Sequence, residues 1–183
     1  MAIEQTRPPG GELSGLPAGE WEVDAARSEL GFAVKVMGFI TVRGVFEDFA
    51  GGLDMTGPDP IGGLTIQAAS LNTHNNRRDQ HLRSADFFDA GRYPAVRFLM
   101  AAVAPSEAGV TIAGELEIGA SRTSLEIPAT AGQLDDGSLR IAGNVTVSRS
   151  ASGLTWNWLG TVGDDAALHA TLTLTRRHSR RAA

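Results

Sequence analysis

Cysteine is absent from the 183 residues. That removes disulfides, thiolate metal ligands and a cysteine nucleophile together, and it agrees with a reducing compartment. Surplus positive charge is absent too. The formal net charge is −5, which leaves no basic footprint for nucleic acid. Lysine is nearly missing: Lys35 stands alone against fifteen arginines, a pattern we read as codon bias. Long apolar runs are also lacking. No stretch approaches the ~20 residues of a membrane-spanning helix. The first ten residues have neither the basic start nor the apolar run of about 7–15 residues that make a secretory signal. These absences lead us to expect a soluble, cytoplasmic protein.

The apolar share is 42%, ordinary for a globular chain of this length, with room for one domain and its core. Residues 1–19 are rich in Pro and Gly without periodicity and read as a flexible arm. From Trp21 onward the chain alternates with period two, the strand signal. Leu30, Phe32, Val34 and Val36 form one such series; Val110, Ile112, Gly114, Leu116 and Ile118 a second. Leu139, Ile141, Gly143, Val145 and Val147 form a third, and Leu168, Ala170, Leu172 and Leu174 a fourth. Less regular runs at 40–55, 62–71, 94–104 and 122–134 bring the expected number of strands to about eight. Turn chemistry at Gly57–Pro60, Pro105–Gly109, Asp135–Gly137 and Gly163–Asp165 links them as antiparallel neighbours. Eight such strands close into a barrel whose interior is either filled by side chains or holds one small ligand. Small residues on or beside the apolar faces, among them Gly31, Ala33, Gly44, Gly63, Ala68, Gly114, Gly143 and Ala170, lean towards open space. Residues 177–183 read as a solvated basic tail.

The alternation stops at residues 72–93. Arg77–Ser84 suits two helical turns, with Ser84 or Asp86 as cap of a second short helix. A long non-strand connection on a compact barrel is usually functional, often a lid. His74, Asp79 and His81 fall within it. Their spacing matches no metal signature, and hydrogen bonding within the loop is the leading reading, ahead of contact with a ligand headgroup and of metal or catalysis. Ser84 near His81 and Asp79 offers a hydrolase triad on paper only, with no Gly-x-Ser-x-Gly elbow to support it. Trp156 and Trp158 share a strand face and suit core or rim packing, a barrel mouth or a subunit interface.

Here the sequence resembles a known family. Leu71 to Thr73, the run Arg78-Asp79-Gln80-His81-Leu82-Arg83-Ser84, then Asp86-Phe87-Phe88-Asp89, Tyr93-Pro94 and Phe98 resemble the YceI-like polyisoprenoid-binding family. Trp21 to Asp24, Ser28 to Lys35, Gly38, Val42 to Phe46, Phe49 to Gly51, Gly114 to Gly119, Arg149, Gly153 and Val162 to Asp164 follow in the family's order. The chain departs from the pattern at Val36, at Ala120 and Ser121, and at Ser152. The resemblance covers residues 20–176 and implies an all-β fold: a single antiparallel eight-stranded lipocalin-like β-barrel with a short helical lid near residues 77–90.

The resemblance implies a binding protein and not an enzyme. Its ligand would be a long-chain apolar lipid, such as an isoprenoid quinone, a polyprenyl compound or a fatty acyl chain, carried or sequestered in the barrel. Strand parity taken with the family analogy assigns the tunnel wall to Phe32, Val34, Phe39, Val42, Phe46, Phe98 and Trp156, the lid contacts to Leu82, Phe87 and Phe88, and the headgroup contacts to Arg43, Asp79 and His81. No cofactor or metal is expected. The expected partners are the lipid and, at most transiently, a membrane, with homodimerisation left open. The rival reading is an enzyme acting on a small lipid-like substrate inside the barrel; a filled structural barrel that binds a protein on its surface is the third.

Overall fold

Among the described residues the alternating runs become eleven antiparallel strands around a closed lumen. The computed structural model describes residues 16–107, 109–157 and 160–177. In chain order the strands are β1 (Glu20–Val23), β2 (Glu29–Val36), β3 (Ile40–Phe46), β4 (Phe49–Asp54), β5 (Ile61–Gln67), β6 (Leu71–Asn72), β7 (Ala95–Ser106), β8 (Gly109–Ile118), β9 (Ser121–Gln133), β10 (Leu139–Ser148) and β11 (Val162–Arg176). One helix, α1 (Asn76–Arg83), lies between β6 and β7.

Eleven strands make eight staves because three staves are interrupted. β1 pairs with β11 from Leu174 to Arg176, and β2 continues along the same edge from Thr171 to Val162. β4 pairs with β1 while β3 pairs with β2. β5 pairs with β4 while the short β6 pairs with β3. The ring then runs β5–β7–β8–β9–β10–β11 and closes on β1. Closure satisfies the ladder hydrogen bonds that an open edge would leave unpaired.

One end of the lumen is plugged. Trp21, Leu53, Met55, Leu139 and Leu174 are buried there as a cluster, and Leu16 packs against it. The Trp21 indole N–H donates to the Pro17 carbonyl at 3.3 Å. Residues 16–19, read from sequence as the end of the flexible arm, are therefore tied to the plug; residues 1–15 and 178–183 lie outside the described residues, as does Trp158. At the opposite end lie α1, the β2–β3 hairpin and the 149–161 connection that joins β10 to β11.

Two sequence expectations need correction. Gly163–Asp165 is not a turn but the start of β11, where the register slips against β2 between Val162 and Ala166. The Gly-Asp-Asp pattern marks that irregularity. The second short helix after Ser84 is a series of turns: the Phe87 and Asp89 amides both donate to the Ser84 carbonyl, at 3.1 and 2.9 Å. α1 itself begins with Asn75 as cap, its side chain accepting from the Arg78 amide at 3.0 Å. No described helix is long and apolar enough to cross a membrane.

Candidate ligand-binding cavity

The inward parity of the strands encloses a cavity of about 530 Å³, within the roughly 300–1,000 Å³ of small-molecule sites. Its wall is aliphatic and aromatic for most of its length. Ten of the residues expected from sequence line it: Phe32, Val34, Val42, Phe46, His81, Leu82, Phe87, Phe88, Phe98 and Trp156.

Three do not. Phe39 sits on the turn beyond Val36, where the hairpin has left the barrel, and is 77% exposed. Arg43 lies between the inward Val42 and Gly44 and is exposed on the outer face, since successive strand residues point to opposite faces. Asp79 is only 4% exposed but turns away from the lumen. Its Oδ1 accepts from the Thr73 amide at 3.0 Å and from the Thr73 hydroxyl. Arg78 completes that knot by donating from Nε to Thr73 Oγ1 at 2.7 Å and from Nη2 to the Thr73 carbonyl at 2.8 Å. The knot straps α1 to β6. The loop hydrogen bonding expected at Asp79 is present, with Thr73 as its partner.

Strand parity also puts Leu116, Ile118, Leu125, Ile127, Ile141, Val145, Leu168 and Leu172 on the wall. Most of these belong to alternating runs visible in the sequence; extending the parity argument from β2 and β3 to β8–β11 finds them. The inward glycines act less directly than expected. A Cβ on Gly44 would meet the Phe32 ring at 2.5 Å, and one on Gly114 would meet the Phe98 ring at 2.4 Å. These glycines let two aromatic rings lie flat against the wall, and the lumen is what remains beside the rings.

Polar lining gathers at the unplugged end. Arg78 and His81 come from α1, and Arg149, Ser152 and Thr161 from the 149–161 connection. His169, the remaining polar contributor, is on the outward parity of β11, with its ring over Gly31 and its Nε2 2.9 Å from Glu29. Arg149 is 5% exposed. It donates from Nε to the Gly163 carbonyl at 3.1 Å and from Nη1 to the carbonyls of Trp156, at 3.0 Å, and Leu154. One buried guanidinium thus holds the connection over the mouth. Burial pulls its pKa below the ordinary arginine value, and the Asp164 charge opposes that shift. Sequence reading noted Arg149 as a family feature without seeing this role, which depends on backbone carbonyls that carry no residue signature.

The mouth is closed by rings. His81 meets Trp156 edge-on at 4.5 Å between centroids, and Phe87 lies 5.0 Å from Trp156 and 5.4 Å from His81. Phe88 points deeper, edge-on to Phe46 at 6.0 Å and packed on the main core cluster. His81 Nε2 lies 3.3 Å from Asp86. The paper triad is not assembled: the Ser84 hydroxyl donates to the His81 backbone carbonyl, and Asp79 is occupied by Thr73. The described residues contain no cluster of three His, Asp or Glu placed to hold a metal.

Comparison with known proteins agrees with this geometry. The structure is similar to that of BcnA from Burkholderia cenocepacia, with a TM-score of 0.76, 24% identity and coverage of 84% of this chain and 99% of the other. It is similar also to a polyisoprenoid-binding domain from Saccharophagus degradans, with a TM-score of 0.73, 15% identity and coverage of 86% and 98%. In sequence it is 28% identical to protein YceI of Escherichia coli O6:H1 over 125 residues, 65% of each chain. The aligned region spans between about half and two thirds of the length of the curated relatives it matches. The YceI-like domain model matches residues 21–174, the whole closed barrel from Trp21 of the plug to Leu174 of the last strand, and on that match the chain belongs to the YceI-like domain family.

Proposed function

We propose that the barrel carries or sequesters one long-chain apolar lipid, with the tail in the lumen and a polar end at the mouth. The observation that carries this reading is the polarity of the cavity: aliphatic and aromatic above the Trp21 plug, with its polar side chains gathered at the other end as Arg78, His81, Arg149, Ser152 and Thr161, apart from His169, which sits on the outward parity of β11. An apolar tail offers no directional bonds, and each buried CH₂ contributes about 0.8 kcal/mol. A smooth aliphatic wall therefore suffices for the tail. The polar end supplies donors for a headgroup and fixes which way the molecule enters. The Saccharophagus neighbour named as polyisoprenoid-binding supports an isoprenoid as the first candidate. Binding, not catalysis, is the role proposed.

Native mass spectrometry and solvent extraction of the purified protein test the proposal. A single co-purifying long-chain lipid, held less tightly when His81 is replaced, is the expected result. An empty barrel that takes up no polyprenyl or fatty acyl probe at micromolar concentration would sink it.

A further inference from the structure

Among the described residues five large apolar side chains are exposed, and three of them fall within four positions: Met37 at 58%, Phe39 at 77% and Ile40 at 46%. They form the tip of the β2–β3 hairpin. Single exposed hydrophobics are normal, but a cluster on a projecting turn is not. Solvent-facing turns ordinarily use Gly, Asn, Asp, Ser or Pro; this one reads Met-Gly-Phe. Met37 is held at φ 54°, in the left-handed region that disfavours residues with a side chain. Its amide donates to the Thr161 carbonyl at 2.6 Å. Thr161 and Val36, the residue before the turn, both line the cavity. The apolar tip is thus pinned beside the mouth.

Charge on this hairpin runs against that of the molecule. The net charge is −5, yet residues 30–46 contain Lys35 and Arg43 and no acid. Both cations are exposed, and they share the outward face behind the tip, Lys35 opposite Thr41 and Arg43 opposite Ala33. On the neighbouring strand Asp164 is engaged by the Ser148 hydroxyl and the Ser150 amide, and Asp165 is exposed.

We infer that the β2–β3 hairpin is a membrane-docking finger. Met37, Phe39 and Ile40 enter the interfacial zone of an anionic bilayer, and Lys35 and Arg43 rest among the headgroups. Apolar side chains with basic residues behind them are the composition that interfacial binding uses. Docking this way brings the cavity mouth to the bilayer surface, where a long-chain lipid resides. The inference rests on the lipid-carrier reading for its purpose but not for its test.

The test is flotation of the full chain with vesicles of phosphatidylcholine containing phosphatidylglycerol, and with phosphatidylcholine alone. The wild type is expected to float with the anionic vesicles and to be released by salt. Phe39→Ser is expected to lower the partition coefficient about tenfold, the equivalent of about 1.4 kcal/mol, with Met37→Ser adding to the loss and Lys35→Ala weakening only anionic binding. Thermal unfolding stays unchanged in Phe39→Ser, because that ring is 77% exposed. Equal flotation of wild type and Phe39→Ser overturns the finger, as does a wild type that stays in solution. A Phe39→Ser protein that sediments as a smaller species than wild type reassigns the tip to contact with a second copy. An empty wild-type barrel whose flotation still depends on Phe39 leaves the finger standing and removes the carrier reading.

Discussion

Phe87 and Phe88 are adjacent in the chain but do different work. Phe88 packs edge-on to Phe46 within the main core cluster, whereas Phe87 stands with Trp156 and His81 at the mouth. Truncating a buried Phe to Ala costs about 3–5 kcal/mol; Phe88 retains some exposure, so Phe88→Ala is expected near the lower end of that range. Phe87→Ala is expected to cost less in the ligand-free protein and to speed the loss of a bound fluorescent long-chain lipid. Thermal unfolding and lipid dissociation measured on both variants decide the matter. Equal loss of stability with unchanged dissociation would make both rings scaffold. The tandem pair was legible in the sequence as a lid feature. Which ring reaches deeper was not, because that depends on the turns after Ser84, where the Phe88 amide reaches back to the Leu82 carbonyl.

The 149–161 connection illustrates what an element owes to its anchors. Arg149 fastens it from inside, and Asp164 fastens its base from outside by accepting from Ser148 Oγ at 2.6 Å and the Ser150 amide at 2.9 Å. Hydrogen bonds from Ser148 and Ser150 hold the Asp164 pKa at about 2, against about 3.9 for an unfolded Asp. A depressed carboxylate pKa adds stability that is fully present above the unfolded value and disappears as pH falls towards the folded one. The stability advantage of wild type over Asp164→Asn should therefore hold at pH 5 and fade between about pH 4 and 2. Urea unfolding across that range measures it; a constant difference would remove the Asp164 carboxylate from the account. At this scale the strands were legible because burial on one face writes a period of two into the sequence. The interrupted staves and the irregular start of β11 were not, since a break in pairing is set by the partner strand. The hairpin tip was misassigned for a related reason: Phe39 continues an apolar run, but the turn at Met37 and Gly38 carries it out of the barrel.

At the scale of the molecule, an open lumen and a packed core respond oppositely to added volume. Overfilling a packed core costs typically 1–3 kcal/mol, whereas a side chain that enters vacant space displaces only the guest. Ala170 faces the lumen from the middle of β11. Ala170→Phe is expected to abolish lipid retention in native mass spectra while the melting temperature of the ligand-free protein stays within a few degrees. Strong destabilisation of the ligand-free variant would show an interior already full. β11 has a further consequence, which concerns synthesis. The amino-terminal strands β1 and β2 both complete their pairing only on β11, with Trp21 opposite Arg176 and Val34 opposite Ala166. These contacts span most of the chain, and such non-local pairing slows folding. A ribosome-bound chain therefore cannot close the ring until its last strand has emerged. Until then the edges of β1 and β2 stay without their final neighbour, and a chain halted before Val162 would present them to chaperones and proteases as an open edge.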